Sequence, residues 1–216
     1  MIDSRIGAVR NLVTGSRVAD VGADHGYLSI ELARSGRVEK VIATEKNLGP
    51  FEALRKNILA SGFGNVIDVR LGDGLKILSA GEVDTICIAG MGGALIKKIL
   101  DDAPEVVNSA RQLILQPMNA AEKIRTRLAE NNWTIDDEDL AEASGIIYEI
   151  ISAVRTEDSS PKIFKRESSP LLKKFLRQRR DKLQRVLDEM NKSSVARTSE
   201  KFSALQAEVD RLKNFA

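Results

Sequence analysis

Apolar residues recur along this chain in two rhythms. Over residues 2–13, Ile6, Val9, Leu12 and Val13 repeat at helical spacing, with Arg5 and Arg10 on the other side; this predicts an amphipathic helix. Short apolar runs then alternate with helical stretches. Runs near 17–21, 39–44, 66–71, 83–89 and 111–116 read as strands. Stretches near 26–36, 49–61, 92–102 and 119–131 read as helices, with Gly62 and Pro104 marking helix ends. This alternation predicts a parallel five-stranded sheet. After Trp133 the rhythm changes. Residues 134–142 and 146–154 read as two strands closing on Ser144-Gly145, and so short a turn makes them antiparallel neighbours.

Past Thr156-Glu-Asp-Ser-Ser-Pro161, which reads as a linker, the period is helical throughout. Ser168-Ser169-Pro170 offers a cap with proline in the first turn. Leu172, Phe175, Leu176, Leu183, Val186, Leu187 and Met190 form one stripe. Phe202, Leu205, Val209, Leu212 and Ala216 form a second at coiled-coil spacing, with Ser193-Ser194 able to turn the chain between them. Each helix alone would expose its stripe, so an antiparallel helical hairpin is expected. The division predicted is a sheet domain over 1–158 and a helical extension over 159–216.

Charge sharpens that division. Residues 161–197 carry twelve basic and four acidic side chains, +8, which leaves −6 for the rest of a chain whose net charge is +2. A basic extension on an acidic domain suits the phosphate backbone of a nucleic acid. With few acids nearby to pair, Lys173, Arg177 and Arg180 are the candidate phosphate contacts.

The strand ends hold the candidate chemistry. Val18-Ala-Asp-Val-Gly-Ala-Asp-His-Gly-Tyr27 is strand, glycine turn and helix start, and the next strand ends in Glu45. This is the layout of a nucleotide-binding βαβ unit, in which the acid accepts from ribose hydroxyls. The spacing Asp20-x-Gly22-x-Asp24-x-Gly26 departs from a dinucleotide loop. Two carboxylates here would repel a pyrophosphate and favour a ligand with sulfonium and ammonium charges, S-adenosylmethionine. Gly72-Asp73-Gly74 closes the third strand, where Asp73 can accept from an adenine amino group; the same tripeptide is also ordinary turn chemistry. The fourth strand ends in Gly90-Met91-Gly92-Gly93, leaving room for a flat ring. Such strand ends share one edge of an open α/β sheet, where ligands bind.

Asp20-x-Gly22-x-Asp24-His25-Gly26-Tyr27-Leu28, Glu45, Gly72-Asp73-Gly74, Ile88-Ala-Gly-Met-Gly-Gly93 and Leu115-Gln-Pro-Met-Asn119 together resemble the bacterial tRNA (adenine-N1)-methyltransferases of the TrmK type. By motif the resemblance covers residues 1 to about 155, and a helical C-terminal extension is typical of the same family. It implies a class I S-adenosylmethionine-dependent methyltransferase fold, a Rossmann-like seven-stranded sheet in the order 3-2-1-4-5-7-6, carrying a coiled-coil extension. It implies methylation of N1 of adenosine 22 in tRNA. One departure from common amino-methyltransferases is the absence of Asn/Asp-Pro-Pro-Tyr/Phe after strand four, where Gly90-Met91-Gly92 stands.

Residue by residue, Asp20, Gly22, Asp24, His25 and Gly26 are expected near the amino acid end of the cofactor. Glu45 is expected on the ribose, Asp73 and Gly74 on the adenine, and Gly90 beside the reacting atoms. Asp24 and the Gly90 carbonyl are the catalytic candidates, as acceptors from the N6 amino group of the target. Tyr27, Met91 and Gly92 are expected against the target base. Gln116 and Asn119 read equally as base-pocket residues or as a strand stop and helix cap. His25 reads as a base or, more simply, as a loop-ordering side chain.

Other acceptors, RNA or small molecule, and a non-catalytic RNA-binding role on the same fold are the competing readings. One histidine and one cysteine, Cys87 inside an apolar strand, leave no metal site and no disulfide. The start of the chain lacks the form of a signal peptide, and no apolar run is long enough to span a membrane. A cytoplasmic monomer or weak dimer acting on tRNA is expected.

Overall fold

The computed structural model describes residues 3–155 and 164–213. Helix α1 (Ser4–Leu12) leads into β1 (Arg17–Val21), α2 (Tyr27–Arg34), β2 (Lys40–Glu45), α3 (Leu48–Ser61) and β3 (Ile67–Leu71). A 3-10 turn, Gly74–Ile77, precedes β4 (Thr85–Met91), α4 (Gly93–Asp101), α5 (Pro104–Ser109), β5 (Gln112–Pro117) and α6 (Ala121–Glu130). Strands β6 (Thr134–Ala143) and β7 (Ile146–Val154) end the sheet. Helices α7 (Lys165–Ser168), α8 (Leu172–Met190), α9 (Ser194–Arg197) and α10 (Glu200–Lys213) follow. The chain divides into two compact units, Met1–Lys165 and Arg166–Ala216. The expected boundary at 158/159 and the linker over 156–161 lie outside the described residues.

The seven strands form one sheet in the expected order, β3-β2-β1-β4-β5-β7-β6. Strands β1 to β5 are parallel, and β7 runs antiparallel to both β5 and β6. The β6–β7 hairpin turns through Ser144 and Gly145, both left-handed (φ 51° and 78°), the conformation that suits the twist of a two-residue hairpin.

Helices cover both faces, which is why the central strands are apolar at nearly every position. Successive side chains alternate between two cores. Ala19, Val21, Ile86, Ile88, Leu113 and Leu115 pack with Ile96, Leu100, Val107, Ile124 and Leu128 of α4, α5 and α6. On the other face Val18, Val41, Cys87 and Ile114 pack with Val9 and Leu12 of α1, Leu28 and Leu32 of α2, and Leu54 and Ile58 of α3. Cys87 is fully buried, and burial pushes its thiol pKa well up, so it is a core residue.

Three expectations change. Pro104 opens α5 instead of only closing α4, because proline lacks the N–H that a first-turn residue leaves unused. Arg5 and Arg10 do not point into open solvent: Arg5 pairs with Asp3 at 2.6 Å and Arg10 with Glu31 of α2 at 3.2 Å. Helix α8 begins at Leu172, two residues after the Pro170 that the Ser-Ser-Pro cap suggests, with the Ser169 hydroxyl accepting from the Leu171 amide at 3.2 Å.

In the second unit α8 and α10 pack together. Phe175 and Leu187 of one helix and Val209 and Leu212 of the other are buried, while Val186 is exposed. Arg179 pairs with Glu208 across the two helices at 2.6 Å, and the unexpected short helix α9 lies in the connection. Ala216 of the expected stripe lies outside the described residues.

Candidate active site at the switch point of the sheet

Strand β1 has β2 on one side and β4 on the other. The chain leaves it in both directions, the switch point where open α/β sheets bind ligands. A cavity of about 760 Å³ opens there, at the carboxyl ends of β1, β4 and β5.

Its floor is Asp20, the penultimate residue of β1. The carboxylate is buried and accepts a 2.6 Å hydrogen bond from the Ser29 hydroxyl of α2. Burial pushes its pKa up to about 6, against the opposing effect of that hydrogen bond. The loop that follows is tied to β2, since the Gly22 and Ala23 amides both donate to the Thr44 carbonyl (2.9 and 3.0 Å). Gly22 and Gly26 are left-handed, and so is Asp24 (φ 51°). A side chain at Gly22 would meet Met91 Cε at 2.2 Å, and one at Gly26 would meet Leu54 Cδ1 at 2.6 Å. Gly26 is buried against Leu54 and Ile58 of α3, while the two residues before it face outward. Asp24 and His25 side chains are 70% and 50% exposed, with His25 Nε2 3.8 Å from Asp24 Oδ1. The Tyr27 ring stands 5.7 Å from the His25 ring.

The opposite wall comes from β4. Its register with β5 shifts between Ala89 and Met91, and Gly90 takes φ 76° at that bulge. The buried Gln116 side chain of β5 holds the bulge, its Oε1 accepting from the Gly90 amide at 3.0 Å. Nothing lies within 4 Å of where a Gly90 side chain would point. The neighbouring glycines serve packing: a Cβ at Gly93 would lie 2.6 Å from the Ala120 carbonyl oxygen.

A second group gathers at the ends of β2 and β3. Glu45 Oε1 accepts from the Lys46 and Asn47 amides (2.9 and 3.1 Å), which fixes the carboxylate. The Glu45 carbonyl accepts from the Gly72 amide at 2.8 Å, joining the two strand ends. Asp73 is half-buried and lies 3.1 Å from Lys46 Nζ and 3.0 Å from Lys76 Nζ. These bonds, Lys76 first, lower its pKa. A Cβ at Gly74 would lie 3.4 Å from Ile99 Cγ2 and 3.7 Å from Val21 Cγ1.

The cavity therefore brings together Asp20, Gly22, Asp24, His25, Tyr27, Gly90 and Gln116. Gly26, Glu45, Asp73, Gly74, Met91, Gly92 and Asn119 are not in its wall. Met91 packs on the core, its methyl filling the space over Gly22. Asn119 does not cap α6, whose N-cap is the left-handed Ala120 without a side-chain bond; it lies against Gly92. In the second unit Lys173 and Arg177 are exposed, and Arg180 pairs with Asp181 at 2.8 Å. Periodicity missed the wall supplied by α1 and α2: Asp3, Arg5, Ile6, Glu31 and Arg34. The one local signal for it is Asp3 as N-cap of α1, accepting from the Arg5 amide at 2.9 Å.

No helix among the described residues is long and apolar enough to cross a membrane. No group of three or more His, Cys, Asp or Glu among them is placed to hold a metal ion.

Strand order, helices on both faces and a cavity at the switch point define a doubly wound α/β domain of the kind that binds nucleotide-like cofactors. The family model described as Methyltransferase domain matches residues 2–151, and the chain belongs to that family. It is 39% identical over 139 residues to the tRNA (adenine(22)-N(1))-methyltransferase of Bacillus subtilis, a match covering 64% of this chain and 58% of that protein. The crystal structure of the B. subtilis enzyme TrmK superposes with a TM-score of 0.83 at 28% identity, covering 100% of this chain and 98% of that one. A candidate tRNA methyltransferase from Streptococcus pneumoniae, solved in complex with S-adenosyl-L-methionine, gives 0.83 at 30% identity, covering 100% and 99%.

Proposed function

We propose that this protein is an S-adenosylmethionine-dependent methyltransferase acting on N1 of adenosine 22 in tRNA, the reaction named for its B. subtilis relative. The observation that carries the reading is the switch-point cavity, with a buried carboxylate on its floor and an open bulge at Gly90 in its wall.

The donor set fits the cofactor. A loop with the buried Asp20 and the exposed Asp24 disfavours phosphate and favours a cationic amino acid end. Gly22 keeps side-chain bulk out of the approach. Glu45, anchored through Oε1, leaves its other oxygen for ribose hydroxyls. Asp73 and Gly74 would receive the adenine, with His25 at the cavity rim. Gly26 shapes the loop from beneath. S-adenosylmethionine, when bound, supplies the electrophilic methyl group.

The chain's own task is alignment. N1 of neutral adenine carries an in-plane lone pair, so no side chain has to remove a proton before attack, and orientation supplies the acceleration. Asp24 and the Gly90 carbonyl accept from the N6 amino group, holding the ring edge-on and favouring the positive charge that develops on it. N1 sits on the pairing edge, so the base must leave its stack. Tyr27 is the exposed ring available to receive it, with Gln116, Gly92 and Asn119 framing the entrance from β4 and β5. Lys173, Arg177 and Arg180 on α8 contact RNA phosphates. We further propose a functional division at 158/159, a cytoplasmic location where tRNA is found, and a monomer or weak dimer.

The test is methyl transfer from labelled S-adenosylmethionine to unmodified tRNA, followed by nucleoside digestion and mass spectrometry. The expected product is 1-methyladenosine mapping to the D-arm. Tight cofactor binding with no methylated nucleoside would overturn the tRNA assignment and leave the cofactor assignment standing.

A further inference from the structure

Helix α1 contributes a charged wall to the cavity that the reading above does not use. We infer that Arg5 is the seat of a phosphate oxyanion of the acceptor RNA, positioning the nucleotide that enters the cavity. This rests on the methyl-transfer reading with an RNA acceptor.

The guanidinium is held from one edge only. Its Nε lies 3.1 Å from both Asp3 carboxylate oxygens and its Nη2 lies 2.6 Å from Oδ2. The other edge has a poor partner, since Nη1 faces the Met118 sulfur at 3.7 Å, and a thioether is a weak acceptor. The plane is steadied by Tyr148, whose ring centroid lies 5.0 Å from Cζ. The side chain is 27% exposed and belongs to the cavity wall, so its guanidinium is held oriented at modest entropic cost. Arg34, the other arginine in the wall, is engaged by Glu31. Met118 is 41% exposed as a residue and its side chain is flexible; an oxyanion displacing its thioether would gain a charge-assisted bond where there is now a weak one. Asp3 keeps the Nε–Nη2 edge occupied, so the seat admits one oxygen and not a fork.

Two oxyanions reach such a site, a phosphate of the acceptor and the carboxylate of the cofactor's methionine. Sheet order favours the first. The cofactor-side acids Asp20, Glu45 and Asp73 belong to β1, β2 and the end of β3, whereas Arg5 touches Met118 after β5 and Tyr148 on β7. Strand β4 lies between those contacts and the cofactor-side strands; Arg5 also shares the cavity wall with Asp20 and Asp24, so the calorimetric arm of the experiment separates the two oxyanions.

The experiment compares full-length wild type, Arg5→Gln and Arg5→Lys in methyl transfer to unmodified tRNA between about 50 and 200 mM salt, with calorimetry for S-adenosylmethionine. Loss of one charged hydrogen bond should raise KM for tRNA in Arg5→Gln about tenfold. The slope of log KM against log salt should become shallower by about one, with partial recovery in Arg5→Lys and cofactor affinity unchanged. A merely structural arginine would not move the salt slope. Met118→Glu, at an exposed position, puts a carboxylate into the seat and should reproduce both changes if the Arg5 variants fold poorly. Weakened cofactor binding with an unchanged KM for tRNA would assign the seat to the methionine carboxylate and overturn the proposal, as would unchanged KM and slope. Wild-type protein that transfers no methyl to tRNA overturns the functional reading itself, and with it this one.

Discussion

Two glycine-bearing loops face each other across the cavity, and they use their glycines differently. After β1, Gly22 and Gly26 are both left-handed and both crowded, one by the Met91 methyl and the other by Leu54 and Ile58. After β4, Gly93 has ordinary helical backbone but sits against two backbone carbonyl oxygens. Gly90 alone of these four is left-handed and points into open space. A glycine motif at a strand end therefore mixes two demands, close packing of protein on protein and free approach for a ligand. Here only Gly90 answers the second by itself.

Alanine substitutions separate those demands. Gly93→Ala should be the most damaging to stability, by about 3 kcal/mol. Its new methyl meets backbone oxygens at 2.6 and 2.8 Å that no rotamer change can move aside. Urea denaturation measures this, and a cost below about 0.5 kcal/mol would show that the α4–α6 junction relaxes freely. Gly26→Ala should cost less, about 2 kcal/mol, from the left-handed backbone and from contact with side-chain ends that can shift. Gly90→Ala should cost only about 1 kcal/mol, the backbone penalty alone, yet lower kcat/KM for methyl transfer at least tenfold because the methyl projects into the open bulge. Wild-type turnover in Gly90→Ala would reduce Gly90 to a structural bulge and erase the contrast.

How much of this the sequence discloses follows the same line. Periodicity reports what a segment buries, so strand order, the hairpin at Ser144-Gly145 and the acids at the strand ends were all readable. The direction of Met91 was not, because it depends on space left over Gly22, a residue in a different strand loop. Gly26 was readable as a loop glycine, but its closeness to α3 comes from Leu54 and Ile58, 28 and 32 positions on. Arg5 was visible on a helix face, but not that this face meets the cavity, since no local pattern records which elements α1 packs against. The short helices α5 and α9 have too few turns to display a period. Charge was legible as a total over residues 161–197, because it needs no geometry.

The loops also differ in charge, and the smallest expected effect tests that difference most closely. The β1 loop starts from a buried acid, Asp20, whereas the β4 loop has none. With its pKa pushed up to about 6 by burial, Asp20 is half protonated near pH 6. If the ionised form holds the cofactor's cationic end, affinity should fall about twofold between pH 7.5 and 6, and about tenfold by pH 5. Folding stability should move the other way. A carboxyl whose folded pKa lies above its ordinary 3.8 favours the fold most below that value, and the contribution is lost as pH rises through about 6. Weaker cofactor binding on acidification, with no matching loss from Asp20 in the ligand-free fold, distinguishes this residue from general acid unfolding. Asp20→Asn should flatten both trends. Ser29→Ala removes the 2.6 Å hydrogen bond that holds the Asp20 pKa down, so it should carry the calorimetric midpoint to higher pH. A midpoint that stays put in Ser29→Ala would mean that another group governs the acid limb, and that the charge difference between the two loops plays no part in binding.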